Sequence, residues 1–316
     1  MTEKQRPNIS YYRCLRRLLL LYRKTKQQER YLKTYLPVLL QEIAPGHTGN
    51  VSFKRTLKYW QLGLNVICDN LYKLQGRQLN EVEYKRIILL SVFGPLFDDL
   101  FDEGLLEYEQ IVDLGHSPDS LVKSVYLALL EMVPRREEFL QHLQQVCYWQ
   151  QQSLKQLDAG ISEEELYTIT YNKSYYSVLL YCSVLETDPD NELIYPLAGL
   201  LQLTNDAFDV WKDLQQGVYT LPNLYKNFNG LKQRFLSEVA VINKHCANID
   251  CAITFHALPA MGWMAIEQLQ AVTSGVSDIR SLTRKQLVCD MDSLSQQLKW
   301  IRQVQRFTRY TREAHP

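Results

Sequence analysis

The chain has 316 residues and a mass of 37.1 kDa, and 46% of its residues are hydrophobic, so it can bury a sizeable core. This composition excludes intrinsic disorder and collagen-like repetition. Lys plus Arg and Asp plus Glu both number 35, so the net charge is zero. With 13 Gly and 11 Pro the chain has few helix breakers, and its frequent Leu, Gln, Glu, Lys and Arg favour helices.

Hydrophobic periodicity predicts helices almost without interruption, and no segment has the convincing alternation of a strand. In chain order the predicted helices cover residues 8–24, 26–44, 51–75, 79–108, 118–132, 135–158, 162–184, 191–215, 228–248, 252–272 and 280–313. Ser162, followed three residues later by Glu165, is a capping-box pattern. Because no long linker and no repeat divides the chain, we expect a single all-α domain over residues 1–316.

The predicted N-terminal helices, within residues 1–75, are basic. Residues 1–60 contain thirteen Lys and Arg but three Asp and Glu, so the remainder of the chain is acidic. Leu15, Leu19 and Tyr22 recur at helical spacing between the charges, which is typical of an amphipathic surface helix. We prefer this interpretation to a nucleic-acid site, and attraction to anionic ligands or lipids stays open.

Cysteine usage and hydropathy bear on the compartment. The seven cysteines are odd in number and scattered, which is typical of a reducing environment. The longest apolar run near the start, Leu18 to Tyr22, is too short for a signal peptide or a membrane span. We therefore expect a cytoplasmic protein without an integral membrane span.

The first acidic motif, residues 97–103, has the sequence FDDLFDE and holds four carboxylates. On a helix, Asp98 lies above Asp102, and Asp99 lies above Glu103. Such a cluster repels itself unless cations bind it, and Mg²⁺ prefers oxygen ligands. The alternative is a solvated acidic helix face, although the apolar residues around the motif favour a cavity.

The second motif, residues 202–213, has the sequence QLTNDAFDVWKD. Asn205, Asp209 and Asp213 are spaced i, i+4 and i+8, so their oxygens line one stripe about 12 Å long. This stripe is a second set of ligands suited to hard cations. Lys212 beside it offers a positive charge to a phosphate oxygen.

The two motifs resemble those of the class I isoprenoid synthase superfamily, which includes terpene synthases, trans-prenyl diphosphate synthases and squalene/phytoene synthases. Residues 98–103 are similar to the first aspartate-rich motif, and residues 205–213 are similar to the metal-binding triad of terpene cyclases, with Asp209 where Ser or Thr is usual. Residues 202–222 also resemble the second motif of squalene/phytoene synthases. Residues 309–310, Arg-Tyr, resemble the pair that closes bacterial cyclases over the diphosphate.

The resemblance implies a helical bundle of the class I terpenoid synthase type with a central active-site cavity, whose site residues lie within 80–225 and 280–313. It implies a terpene synthase that ionises an allylic prenyl diphosphate, farnesyl or geranylgeranyl, then cyclises the carbocation and releases diphosphate. Three Mg²⁺ ions, or Mn²⁺ in their place, would hold the diphosphate. A squalene/phytoene synthase-like enzyme, a chain-elongating prenyl diphosphate synthase and a helical scaffold without catalysis are the alternatives.

The resemblance also assigns roles to individual residues. The implied metal ligands are Asp98, Asp99, Asp102, Asn205, Asp209 and Asp213. The implied donors to the diphosphate are Lys173, Lys212, Arg309 and Tyr310, with Lys173 standing in for an arginine that cyclases carry before their second motif. The candidate substrate-binding residues are Phe97, Tyr175, Tyr176, Gln202 and Phe208. Large rings at Tyr175 and Tyr176 favour folding one prenyl chain over joining two, so we rank cyclisation first. We expect a prenyl diphosphate substrate and allow for a homodimer, and we expect no nucleic acid partner.

Overall fold

The computed structural model describes residues 9–47, 51–102, 120–224 and 227–310, without the side chains of residues 101, 102 and 120. Within these ranges every regular element is helical, which confirms the prediction of an all-α chain. The elements are α1 (Tyr11–Ile43), α2 (Phe53–Leu62), a π-helix (Gly63–Cys68), α3 (Asp69–Leu74), α4 (Glu81–Asp102), α5 (Ser120–Met132), α6 (Arg136–Gln152), a 3₁₀-helix (Ser153–Leu157), α7 (Glu163–Ser183), α8 (Asn191–Gln216), α9 (Leu221–Leu224), α10 (Phe228–His245), α11 (Ile249–Thr273), a second 3₁₀-helix (Ile279–Ser281), α12 (Arg284–Leu287) and α13 (Leu294–Arg309).

Helix boundaries depart from the predicted ones where local capping or its absence decides. Helix α1 is one helix where two were predicted, because no breaker interrupts it near Thr25, whose hydroxyl donates to the Tyr22 carbonyl at 2.7 Å. The prediction of a single helix over residues 280–313 is wrong, because Thr283 and Ser293 each cap the start of a new helix. The capping box of Ser162 and Glu165 is confirmed by reciprocal hydrogen bonds.

The described contacts divide the chain into two compact units. The first unit comprises Met1–Leu19, Ser153–Tyr175 and Asp190–Pro316, and the second comprises Leu20–Gln152 and Tyr176–Pro189. The expectation of one domain over the whole chain stays a prediction.

Helices α8, α10, α11 and α13 build the core of the first unit. The ring of Trp263 on α11 packs edge-on against Phe235 and Phe307, with centroids 5.7 and 5.6 Å apart. Gly262 permits the close crossing of α11 and α8, because a Cβ there would stand 2.9 Å from the Cα of Thr204. This crossing fixes the part of α8 that carries the second motif.

Helix α11 is also the helix of the described chain that is long and apolar enough to cross a membrane, judged by length and composition. Of its most apolar 18-residue window, 78% is buried inside the protein. Such burial is typical of a core helix, which is buried against protein and not against lipid.

In the second unit, α2, the π-helix, α4 and α5 pack together. The ring of Tyr181 fills the space that a side chain at Gly63 would need, so the π-helix begins where that ring packs. The Tyr181 hydroxyl donates to the carbonyl of Tyr59 at 3.2 Å. The packing of α2 on α4 brings Tyr59 to the first acidic motif.

Candidate functional site

The second motif lies on α8 in the first unit, and the sequence fixes both ends of this helix. Asp190 caps its start by accepting from the Glu192 N–H at 3.1 Å, and Gly217 ends it in the left-handed conformation with φ 69°. Pro196 is tolerated inside the helix. Because the helix is unbroken from residue 191 to residue 216, the i, i+4, i+8 spacing of the motif does form one stripe.

Two members of the stripe are joined directly. The side-chain amide of Asn205 donates to an oxygen of Asp209 at 3.1 Å. Because the amide nitrogen faces Asp209, the side-chain oxygen of Asn205 is not used in this contact.

The third member, Asp213, has an altered acidity. Burial and then the negative charge of Asp209 raise the pKa of Asp213 to about 7, while Lys212 and Lys173 act in the opposite direction. Two carboxylates therefore repel each other one turn apart, and the nearby cations offset this repulsion only in part. A bound divalent cation would remove the repulsion.

Lys173 is brought to the second motif by α7. Its positive charge lowers the pKa of both Asp213 and Asp206, so Lys173 lies within electrostatic range of these two carboxyls. This effect is separate from the resemblance that first suggested Lys173. Lys173, Lys212 and the two acids form one mixed-charge cluster in the first unit.

Asp206 is a member of the cluster that the sequence analysis did not assign a role. Its side chain is buried, one of its oxygens accepts from the Gln202 amide at 2.7 Å, and the other oxygen has no hydrogen-bond partner among the described residues. Burial raises its pKa to about 7. In the sequence, Asp206 lies among the apolar residues Leu203 and Ala207, which are both buried in the structure. An acidic residue in such a position was the signal that could have identified it.

The aromatic candidates near the motifs are placed differently from one another. Tyr175 donates its hydroxyl to Asn191 at 3.0 Å and packs edge-on against Tyr195, with centroids 5.2 Å apart, in the first unit. Tyr176 belongs to the second unit and packs against His142 with centroids 6.4 Å apart. Phe208 is partly exposed on α8.

Arg309 and Tyr310, at the end of α13, contact the start of the described chain and α10, respectively. A guanidinium N–H of Arg309 donates to the Ile9 carbonyl, and the Tyr310 carbonyl accepts from the Asn243 amide at 2.7 Å. Within the described residues, neither residue has a hydrogen bond or an ion pair with residues 202–213. Their role as donors to the diphosphate stays a prediction. It requires Arg309 to exchange the Ile9 carbonyl for a diphosphate oxygen.

The first acidic motif lies in the second unit, at the end of α4. The hydroxyl of Tyr59 donates to Asp98, and one guanidinium nitrogen of Arg55 contacts both oxygens of Asp99 at 2.5 and 2.7 Å. Arg55 also donates to the Pro95 carbonyl at 3.1 Å. Burial and the charge of Asp98 raise the pKa of Tyr59 far above its ordinary value, so Tyr59 stays protonated as a donor.

Arg55 and Tyr59, which contact the carboxylates of this motif, were not identified by the sequence analysis. They are spaced i and i+4 on α2, so they present one face to α4. Phe97 beside them is 3% exposed and packs against Phe93, with centroids 5.2 Å apart. The side chain of Asp102 and all of Glu103 lie outside the described residues.

The donor set decides which motif is better suited to a metal. Within the described residues, no three His, Cys, Asp or Glu side chains form a metal-binding group. Asn205, Asp209 and Asp213 combine an amide oxygen with two carboxylates, so Mg²⁺ would need water and a phosphate to complete its shell. At the first motif, Mg²⁺ would have to compete with Arg55 and Tyr59 for the two carboxylates.

Comparison with known proteins returns no relatives. No protein-family model, no curated protein and no solved structure matches this chain. The residues of the two motifs are therefore the basis for any proposal of function.

Proposed function

We propose that this chain is a class I terpene synthase, which ionises a farnesyl or geranylgeranyl diphosphate with the help of Mg²⁺ and cyclises the resulting carbocation. The proposal includes the terpenoid synthase type of helical bundle with a central cavity. The observation that carries it is the cluster on α7 and α8, where the charge of Lys173 acts on Asp213 of the stripe and on the buried Asp206 beside it.

The mixed charge of this cluster suits a metal diphosphate better than either component alone. A carboxylate stripe without cations would repel a diphosphate, and lysines without carboxylates would bind any anion. Asn205, Asp209 and Asp213 would hold Mg²⁺ through oxygen, while Lys173 and Lys212 would donate N–H groups to the diphosphate. The carboxylates and the lysines together therefore favour a ligand that carries both a positive charge, on the metal, and a negative charge, on the diphosphate.

Ionisation breaks the allylic C–O bond, and the bonding electron pair leaves with the diphosphate. Bound Mg²⁺ would neutralise the charge that develops on this leaving group. Lys173 and Lys212 would add hydrogen bonds to the same oxygens. The ring of Phe208, which lies on α8 between Asn205 and Asp209, is the candidate to face the cation, because the face of an aromatic ring stabilises positive charge. Tyr175, the other candidate, packs instead at the start of α8 against Asn191 and Tyr195.

The first motif enters the proposal as a second carboxylate set for the same diphosphate. In the described structure Asp98 and Asp99 are held by Tyr59 and Arg55. These contacts hold the two carboxylates on α4, and the charge of Arg55 partly offsets that of Asp99. Arg309 and Tyr310 are proposed as further donors once substrate is present.

The experiment is incubation of the full chain with geranyl, farnesyl and geranylgeranyl diphosphate and Mg²⁺, with mass spectrometry of hexane extracts and measurement of released diphosphate. We expect a C15 or C20 hydrocarbon or alcohol from a single substrate. Asp209→Asn and Asp213→Asn should each lower diphosphate release by about 100-fold or more, because each replaces a negatively charged ligand of the metal by a neutral one.

Glu164→Gln is the matched control, since Glu164 is an exposed carboxylate on α7 of the same unit and outside the cluster. A C30 or C40 product would favour head-to-head condensation, and growth that requires isopentenyl diphosphate would favour chain elongation. If no substrate releases diphosphate and calorimetry detects no Mg²⁺-dependent pyrophosphate binding, the chain is a helical scaffold and the proposal is wrong.

A further inference from the structure

Helix α1 carries a basic stripe in the second unit. Arg23, Lys26, Arg30 and Lys33 recur at i, i+3, i+7 and i+10, so they lie along one side of the helix over about 15 Å. Leu20 and Tyr22 flank the beginning of this stripe. We call these six residues the basic face of α1.

The basic face is turned outward. The opposite side of the same helix is buried, where Gln28 exchanges hydrogen bonds with Asn65 and Leu32 is fully covered. On the basic face, by contrast, Tyr22 is 60% exposed and Leu20 is 47% exposed. These two side chains place apolar surface beside the cations of the basic face.

The charges of the basic face are poorly neutralised. Glu29 is the acidic residue between residues 20 and 34, and it pairs with Lys26 at 3.4 Å and Lys33 at 2.9 Å. Arg23 and Arg30 form no ion pair with any residue that the structure describes. A stripe of four cations that shares one acid is complementary to a strongly anionic surface.

We propose that the basic face of α1 docks on an anionic lipid bilayer. The cations would contact lipid phosphate and carboxylate groups, and Leu20 and Tyr22 would enter the headgroup region, as amphipathic interfacial helices do. Docking is peripheral, because the buried side of α1 stays packed in its unit. The proposal is independent of the terpene synthase proposal, since the basic face includes none of the residues assigned to that chemistry.

A lipid surface fits these side chains better than a nucleic acid does. Single-stranded nucleic acids require free aromatic faces for base stacking. The ring of Tyr31, the next tyrosine along the helix, is already stacked on Tyr35 with centroids 5.2 Å apart, and Lys26 lies over the ring of Tyr22 at 5.8 Å. Leu20 offers an aliphatic surface that suits acyl chains.

The experiment is co-sedimentation of the full chain with vesicles of phosphatidylcholine alone and of phosphatidylcholine mixed with phosphatidylserine, at low and high salt. We expect binding to the mixed vesicles, weakened by salt. Replacing Arg23, Lys26 and Arg30 together by Gln should lower the affinity by about 100-fold, because each cation near an anionic surface contributes about fivefold. Leu20→Ser with Tyr22→Ser should also weaken binding at equal charge.

The control variant replaces three exposed cations of the first unit by Gln, namely Lys244, Arg284 and Lys285. It should bind the mixed vesicles as the unchanged chain does. Circular dichroism establishes that each variant is folded. If the basic-face variant binds mixed vesicles as tightly as the control, or if the unchanged chain binds neither vesicle, the proposal is wrong. Binding of an oligonucleotide in preference to mixed vesicles, lost in the basic-face variant, would replace it by a nucleic-acid surface.

Discussion

At the scale of single residues, the most informative group is Asp213. Its pKa of about 7 arises from burial and from Asp209, so at neutral pH it is poised between two protonation states. A carboxyl must lose its proton to bind Mg²⁺. If Asp213 binds Mg²⁺ as proposed, proton release, metal binding and folding stability are coupled at this one side chain.

The first prediction concerns this coupling. The pKa of Asp213 is raised on folding, so its contribution to stability is present below about pH 4 and is lost as pH rises through about 7. Without metal, Asp213→Asn should therefore unfold at a higher temperature than the unchanged chain at pH 8 and at a similar temperature at pH 4. Thermal unfolding monitored by circular dichroism over this range checks it.

The control for this pH series is Glu164→Gln, which removes an exposed carboxylate that has no part in the cluster. Its difference from the unchanged chain should not vary with pH in the same range. Mg²⁺ with pyrophosphate should stabilise the unchanged chain more at pH 8 than at pH 6, because the metal displaces the proton of Asp213. Equal stabilisation at the two pH values would contradict the assigned ligand.

The second prediction concerns Arg55, whose guanidinium occupies both oxygens of Asp99. Arg55→Gln should tighten Mg²⁺ binding by up to about fivefold, because the partly exposed ion pair that competes with the metal is removed. Isothermal titration of the metal-free chain with Mg²⁺ measures this change. Lys54→Gln, the adjacent exposed cation on α2, removes the same charge without touching Asp99 and should leave the affinity nearly unchanged. Weaker binding in Arg55→Gln would mean that Arg55 supports the metal site.

At the scale of secondary-structure elements, the second motif depends on how closely α11 crosses α8. Gly262 faces Thr204, the residue directly before Asn205 of the stripe. The obstacle to a side chain at position 262 includes the backbone of α8, which cannot rotate away as a side chain can. The crossing therefore bears on both stability and the placement of the residues proposed as metal ligands.

The third prediction follows from this crossing. Gly262→Ala should destabilise the fold by about 1–3 kcal/mol, because the added methyl group overpacks the α8–α11 contact. Gly94→Ala is the comparison, since a Cβ there meets the movable ring of Tyr59 at 3.1 Å and also gains helix propensity. Urea denaturation of both variants should give the larger loss for position 262. A smaller loss at 262 than at 94 would show that α8 shifts to accommodate the methyl group.

The elements also show which features could be predicted from sequence. The stripe of α8 was predictable, because helical period alone determines which side chains of residues 205–213 align. The partners of the first motif were not, because Tyr59 and Asp98 are 39 residues apart and meet only through the packing of α2 on α4. The two-helix prediction for residues 8–44 was wrong, because no residue near Thr25 disrupts a helix and α1 continues through it.

At the scale of the whole molecule, the charge is distributed unevenly along the chain. The excess of cations lies in residues 1–60, which include the basic face of α1, while the acidic motifs lie downstream. A docked basic face would reduce repulsion between an anionic bilayer and the remaining acidic surface. The same distribution explains why the net charge of zero is a poor guide to partners.

The proposed function assigns Asp98 and Asp209 to the binding of a metal diphosphate. A double-mutant cycle tests whether the two residues act on the same ligand. Asp98→Asn, Asp209→Asn and the double variant are compared by calorimetry for Mg²⁺-dependent binding of pyrophosphate. Two groups that act on one ligand should give a coupling energy of about 0.5–3 kcal/mol, whereas independent groups should add.

The control cycle pairs Asp98→Asn with Glu164→Gln, whose effects should add within about 0.5 kcal/mol because Glu164 lies outside both motifs. Strong coupling in the first cycle and additivity in the second would mean that both carboxylates act on a shared ligand, as ionisation of a prenyl diphosphate requires. Additivity in both cycles would mean that each motif binds separately. The cluster on α7 and α8 would then be a metal site without the second half of the proposed catalytic centre, and a single-motif phosphate binder would be the better description.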